Sequence, residues 1–147
     1  MAAAVASGLA VAANGGSAAA CEPTRGDTPG PFDRIDAPRR AKIGKGYVLR
    51  GRVLRAGDCS PVAGALVVPW QAGPNGYVYR PRGRGSVVTD RSGRFRFEGP
   101  IPASLGSRPP HIHIAVVDSE HVELLTRHVV RRGTTSGRIR LVLTPLL

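Results

Sequence analysis

Two histidines, His111 and His113, stand two residues apart in the segment RPPHIHI, which begins at Arg108. In a β-strand, residues at i and i+2 project from the same face, so the two imidazoles would lie side by side, with Ile112 and Ile114 on the opposite face. Paired imidazoles suit Zn, Cu, Fe or Ni as metal ligands. The same spacing also arises when two polar side chains lie on the wet face of a strand, so alone it leaves both interpretations open.

A second pair with the same spacing, Tyr77 and Tyr79, lies in the segment NGYVYR. A phenolate is a ligand for a hard, highly charged ion such as ferric iron, whose charge lowers the pKa of the phenol. Tyrosine is also common on strands for its packing alone. The pair therefore adds a candidate metal-ligating group without deciding between these roles.

Short β-strands must position these groups. Alternating or apolar runs, separated by turns rich in Gly, Pro and Asp, recur at intervals of about 8–12 residues, which is the pattern of a β-sandwich. RFRFEG (94–99), HIHIAVV (111–117) and RIRLVLTP (138–145) are three of these runs. The sequence predicts an all-β protein, an antiparallel β-sandwich with an extended N-terminal arm.

Composition divides the chain into three parts. Residues 1–20 are small and apolar and carry no charged side chain, which is typical of an export signal or its remnant. Residues 21–45, rich in Pro, Gly and charge, predict an extended arm, and residues 46–147 predict the sandwich. We therefore expect an exported protein, periplasmic or extracellular, and no segment is apolar for long enough to span a membrane.

The two cysteines, Cys21 and Cys59, are interpreted through that expected export. An oxidising compartment favours a disulfide between them. Two free thiols, or a lipidated Cys21, are the alternatives.

The formal net charge of +11 makes nucleic acid, acidic surfaces and small anions candidate partners. Along the sequence, however, the arginines are scattered singly or in pairs, and only RPRGRG (80–85) is dense. Aromatic residues make up 5% of the chain, which is too few to provide a base-stacking platform. We therefore predict a dispersed, solvated charged surface and no nucleic-acid partner. The chain also lacks GxGxxG, P-loop and CxxC motifs.

Seven segments carry a family resemblance in combination, and they occur in the order CEPT, GPF, GYVLRGRVL, CSPVAGALVVPWQA, GYVY, VTDRSGRFRF and RPPHIHI. Together they resemble the intradiol ring-cleavage dioxygenases, the group of catechol 1,2- and protocatechuate 3,4-dioxygenase, and especially its compact exported members. The resemblance covers essentially Cys21 to Pro145. It implies intradiol cleavage of a small aromatic diol by O2 at non-haem Fe(III), which gives a muconate-type diacid, and it is compatible with a homo-oligomer.

The resemblance also implies the residues of the site. The family holds iron with two tyrosinates, two histidines and a solvent hydroxide. Its histidines correspond to His111 and His113, and its first tyrosine corresponds, after a one-residue shift, to Tyr79 or alternatively to Tyr77. Arg108 corresponds to the arginine that stabilises negative charge near the substrate as the ring opens.

Two positions depart from the family pattern. Leu105 stands where the second tyrosine is expected, and leucine cannot bind iron. The alternative hypothesis is therefore a catalytically impaired module on the same sandwich that binds a metal or an aromatic ligand. Arg127 replaces a glutamine and is followed by His128, and we expect both to change the charge and shape of the pocket. His121 matches no ligand position and is predicted to lie on the surface.

Overall fold

The computed structural model describes residues 21–27, 37–72, 84–104 and 106–147. These residues form the strands β1 (Tyr47–Arg55), β2 (Leu66–Gln71), β3 (Val87–Val88), β4 (Arg94–Gly99), β5 (His111–Val117), β6 (Leu124–Val129) and β7 (Ser136–Leu143). In the same ranges no helix is long and apolar enough to cross a membrane.

The strands form two sheets, one of three strands in the order β4-β1-β7 and one of four in the order β3-β2-β5-β6. The prediction of an all-β sandwich is confirmed. Neighbouring strands run antiparallel except β1 and β7, which run parallel. A parallel pair cannot be joined by a hairpin, and here all the other strands lie between β1 and β7 in the chain.

The core lies between the two sheets, because each strand alternates an inward apolar side chain with an outward one. Leu49 of β1, Phe97 of β4, Ile112 and Ile114 of β5 and Leu141 of β7 are each at most 1% exposed. Burying such a side chain contributes about 1.5–3 kcal/mol. This core therefore determines which face of each strand is left for function.

Cys21 and Cys59 form a disulfide, with their Cα atoms 5.5 Å apart. The disulfide is thus the alternative that the structure supports, and no free cysteine remains among the described residues. The bridge spans a sequence separation of 38 residues. In the chain-entropy treatment, a disulfide that closes a loop of that size stabilises the fold by about 4 kcal/mol, because it restricts the unfolded chain.

The segment 21–27 fastens the two sheets together. The backbone N–H of Thr24 donates to the carbonyl of Val142 in β7 (3.0 Å), and the Val142 N–H donates to the Thr24 hydroxyl (2.8 Å). Three residues later, the Asp27 N–H donates to the Leu125 carbonyl in β6 (2.7 Å). The segment therefore brings Asp27 onto the outer face of the four-stranded sheet.

Tyr47 of β1 and His128 of β6 meet across the space between the sheets, with the Tyr47 hydroxyl 2.8 Å from Nε2 of His128. Burial raises the pKa of Tyr47 and lowers the pKa of His128, so a neutral phenol donates to a neutral imidazole. The register partner of His128 is Ile112, so His128 faces the core and not the side of Arg127. The prediction that His128 shapes the same pocket as Arg127 is wrong, because successive strand residues face opposite ways.

His121, predicted on the surface, is 7% exposed, so that prediction is also wrong. Its Nδ1 lies 2.6 Å from Oδ2 of Asp118, within one turn. The next residue, Val122, donates its N–H to the carbonyl of Thr144 (2.8 Å). The turn is thereby held against the C-terminal segment, where His121 forms an isolated β-bridge with Pro145.

Replacing His128 with Gln tests the contact with Tyr47 through the pH dependence of stability. Because the folded-state pKa of His128 is lowered, the unfolded chain takes up this proton first as the pH falls. The stability that the neutral imidazole contributes is complete above the unfolded pKa of about 6.5 and is lost below it. We expect the melting temperature of the wild type to fall more steeply from neutral pH to about pH 5 than that of H128Q. Equal slopes in the two proteins would contradict this assignment.

Candidate functional site

His111 and His113 lie on the outer face of the four-stranded sheet, where β5 runs between β2 and β6. Strand register pairs His113 with Trp70 of β2 and with Arg127 of β6. Cross-strand partners share a face, so Trp70, His113 and Arg127 form one row across three strands. His111 follows on the same face of β5, two residues before His113.

The two imidazoles converge. Nε2 of His111 lies 3.2 Å from Nε2 of His113, and the ring planes are inclined at 84°. Nδ1 of His111 lies 3.0 Å from the carbonyl of Pro109. The intervening Ile112 and the following Ile114 are buried in the core, as the period-two pattern predicts.

This geometry fits the histidine half of a metal site. The N–H that His111 donates to Pro109 must be on Nδ1, which leaves a lone pair on its Nε2. Two ligand bonds of about 2 Å from one ion reach two nitrogens at this separation. Within the described ranges no third His, Cys, Asp or Glu joins the pair to form a metal-binding group.

The pKa of His113 is lowered to about 4. Burial is the largest cause, and the neighbouring His111 is the next. The carboxylate of Asp27 opposes the shift, whereas the cations Arg127 and Arg108 add to it. At neutral pH the His113 imidazole is therefore uncharged, which is the form that binds a metal.

Trp70 supports His113 from the neighbouring strand. The rings of Trp70 and His113 stack with centroids 5.2 Å apart and planes inclined at 16°. Trp70 packs with Val68 and Ala115 in a small apolar cluster on this outer face. Its indole Nε1 is buried and has no hydrogen-bond partner among the described residues. The stacked indole limits the rotation of the His113 ring and so directs its Nε2.

Arg127 is held beside His113 by an ion pair with Asp27, whose Oδ2 lies 2.9 Å from Nε of the arginine. Both side chains are about one-third exposed, so the pair contributes modestly to stability and mainly orients the guanidinium. Sequence reasoning identified Arg127 but missed Asp27. No local pattern in the arm indicates that Asp27 meets a strand about one hundred residues later.

Of the remaining predicted site residues, Arg108 alone is among the described residues. Arg108 is exposed and precedes β5, close enough to act on the charge of His113. Tyr77, Tyr79 and Leu105 lie outside the described residues. The tyrosine half of the expected ligand set therefore stays a prediction.

In comparisons with known proteins, no family model matches the chain. A 6-chlorohydroxyquinol 1,2-dioxygenase from Cupriavidus pinatubonensis is 32% identical over 137 residues, covering 71% of this chain and 49% of that protein. The chain thus spans about half the length of the curated relative that it matches.

Solved structures share the fold. An intradiol ring-cleavage dioxygenase from Tetranychus urticae superposes with a TM-score of 0.76 at 17% identity, covering 86% of this chain and 97% of that chain. Hydroxyquinol 1,2-dioxygenase from Pseudomonas putida DLL-E4 superposes with a TM-score of 0.73 at 18% identity, covering 94% and 71% of the two chains. At these identities the structures show the common architecture, and the sequence match to the Cupriavidus protein links the chain to the same group.

Proposed function

Because this chain belongs to the intradiol ring-cleavage dioxygenase family, we propose that it cleaves a catechol-type aromatic diol with O2 at a non-haem Fe(III) site. The product is a muconate-type diacid. The observation that carries the proposal is the convergence of the Nε2 atoms of His111 and His113, 3.2 Å apart, on a face bordered by two arginines.

His111 and His113 supply the neutral ligands. The Pro109 carbonyl fixes the tautomer of His111, and stacking on Trp70 fixes the ring plane of His113. A phenolate from Tyr79, or from Tyr77, supplies negative charge that favours the ferric state. Ferric iron held by these residues would supply Lewis-acid chemistry that activates the diol toward O2.

Arg108 and Arg127 stabilise the negative charge of the substrate. A diol that has lost its protons is anionic, and ring opening ends in two carboxylates, so the need for nearby cations persists through the reaction. The positive charges of both arginines contribute to lowering the pKa of His113, which supports a role for these charges at the site. The ion pair with Asp27 keeps the Arg127 guanidinium on this face.

The second candidate function is a binding module that holds a metal or an aromatic ligand without turnover. Leu105 favours it, because in the family the tyrosine expected there leaves the metal as the diol binds and helps to accept a proton. A chain that lacks that base keeps the histidines and the arginines but loses a step of proton transfer.

Metal content and oxygen consumption test the proposal together. Protein loaded with iron in air should hold about one iron per chain, show a red-brown tyrosinate-to-iron absorption, and consume O2 with catechol while a diacid forms. H111A and H113A should each lose iron affinity by at least about 100-fold, since even partners outside the ligand shell are worth 10–100-fold.

His121→Asn is the matched control, because it removes a buried histidine that lies apart from the converging pair. It should retain iron and colour per folded molecule. Wild-type protein that stays colourless and free of iron after loading would rule out the metal site.

Leu105→Tyr distinguishes the two candidate functions, with Leu105→Phe as a control that adds the ring without the hydroxyl. If proton transfer is the missing step, L105Y should raise the rate of O2 consumption at saturating catechol by about tenfold or more, and L105F should not. Measured rates that are equal in all three proteins would contradict the role assigned to Leu105.

A further inference from the structure

The outer face of the three-stranded sheet carries six arginines, on the side of the sandwich opposite His111 and His113. They occupy the outward positions of β4, β1 and β7, where three segments repeat the pattern R-x-R: RFR (94–96), RGR (50–52) and RIR (138–140). We call these six residues the arginine face.

Strand register aligns the six in two rows of three, which are Arg96–Arg50–Arg138 and Arg94–Arg52–Arg140. Neighbouring strands lie about 4.8 Å apart and alternate residues about 6.8 Å apart, so the array covers about 10 by 7 Å at the backbone. The expectation of a dispersed charged surface is therefore wrong for this face. Arginines that are scattered along the sequence become neighbours because three distant strands pair.

The arginine face has little internal compensation. Like charges directly opposite each other on neighbouring strands are destabilising. Within the described ranges, the carboxylate that forms an ion pair with this face is that of Glu98, 3.4 Å from Arg96. The guanidinium groups of Arg50, Arg94 and Arg138 have no hydrogen bond or ion pair with any described residue. An anionic ligand would relieve this repulsion.

We propose that the arginine face binds an acidic polysaccharide through its carboxylate or sulfate groups. Guanidinium forks bind planar and tetrahedral oxyanions through two parallel hydrogen bonds, and the face uses arginine throughout. It lines a shallow depression of about 1120 Å³ together with Arg39, Arg40 and Asp90, and the apolar Val88, 39% exposed, borders the same depression. A sugar chain offers both partners, since its rings present C–H groups beside the anionic substituents.

The same surface suits nucleic acid less well. Phe95 and Phe97, the aromatic residues of β4, point inward and are 7% and 1% exposed, so β4 offers no aromatic ring for base stacking. A duplex presents its phosphates along rigid, curved strands, whereas this array is compact and lies on one sheet. A flexible chain with closely spaced anionic groups engages more of the six guanidinium groups at once.

The inference does not depend on the proposed catalytic function. The arginine face and the histidine pair lie on opposite outer faces of the sandwich, so a polymer bound by the arginines does not contact the histidine pair. Loss of polymer binding and loss of oxygen consumption are therefore separate outcomes.

The test measures the affinity of the full chain for fluorescently labelled heparin oligosaccharide and for oligogalacturonate, by anisotropy at about 0.1 M salt. The variant R50Q/R52Q removes the central arginine of each row. The matched control R131Q/R132Q removes the same charge from an exposed loop. We expect the Kd of R50Q/R52Q to rise about tenfold for both probes, and that of the control to change less than about twofold.

Either of two comparisons with the wild type and the double variants would overturn the proposal, as would the R138Q result described below. Equal weakening by the two double variants would show that net charge alone drives binding. Tighter binding of the wild type to duplex DNA than to either oligosaccharide, at equal charge concentration, would assign the face to nucleic acid.

A folding defect is distinguished from lost binding in two ways. Because Nε of Arg52 donates to the carbonyl of Ser92 (2.9 Å), R50Q/R52Q is compared with the wild type well below both melting temperatures, where an unchanged circular dichroism spectrum shows that the variant is folded. Arg138→Gln alone, on an edge strand, should weaken binding in the same direction by a smaller factor. Unchanged affinity in R138Q would contradict a ligand that extends across all three strands of the arginine face.

Discussion

Strand β5 must pack into the core with one face and present the histidine pair with the other, and the candidate site depends on this arrangement. Its isoleucines fill the core between the sheets, while its histidines lie on the outer face. A slip of one residue in the pairing with β2 or β6 would move the histidines into the core and the isoleucines out of it. Exposing two buried isoleucines costs about 3–6 kcal/mol, so core packing holds the histidine pair in register.

The same alternation gives the sandwich two outer faces with different chemistry. On the four-stranded sheet, the row Trp70–His113–Arg127 places a stacking ring, a neutral imidazole and a cation side by side. On the three-stranded sheet, alternation exposes arginines from three strands and buries the phenylalanines between them. The segment 21–27, anchored by the disulfide at Cys21, hydrogen-bonds to both sheets and adds the Asp27 carboxylate to the first of these faces.

Local patterns predicted the strands well, because alternation and turn residues are properties of short segments. The predicted runs RFRFEG and HIHIAVV coincide with β4 and β5. Strand alternation also predicts that His128 and Arg127 project from opposite faces of β6. The wrong prediction for His128 came from treating residues that are adjacent in the chain as neighbours in space. His121 was misplaced for a different reason, since its burial depends on a C-terminal segment that a local pattern does not include.

What the sequence could not supply was pairing between distant segments. The parallel register of β1 and β7 aligns arginines that are nearly ninety residues apart, and no composition measure along the chain detects such an array. The contact between Asp27 and Arg127 is equally non-local. In both cases the residue types were visible in the sequence, but their neighbours were decided by the topology.

X-ray absorption at the iron edge of the loaded protein tests whether His111 and His113 bind iron, because it reports the atoms around the metal whether or not the chain turns over. We expect a first shell of nitrogen and oxygen, with outer-shell scattering from two imidazoles that falls to one imidazole in H113A loaded at an iron concentration high enough to fill its weakened site. A first shell without imidazole scattering, or a spectrum that H113A leaves unchanged, would contradict it.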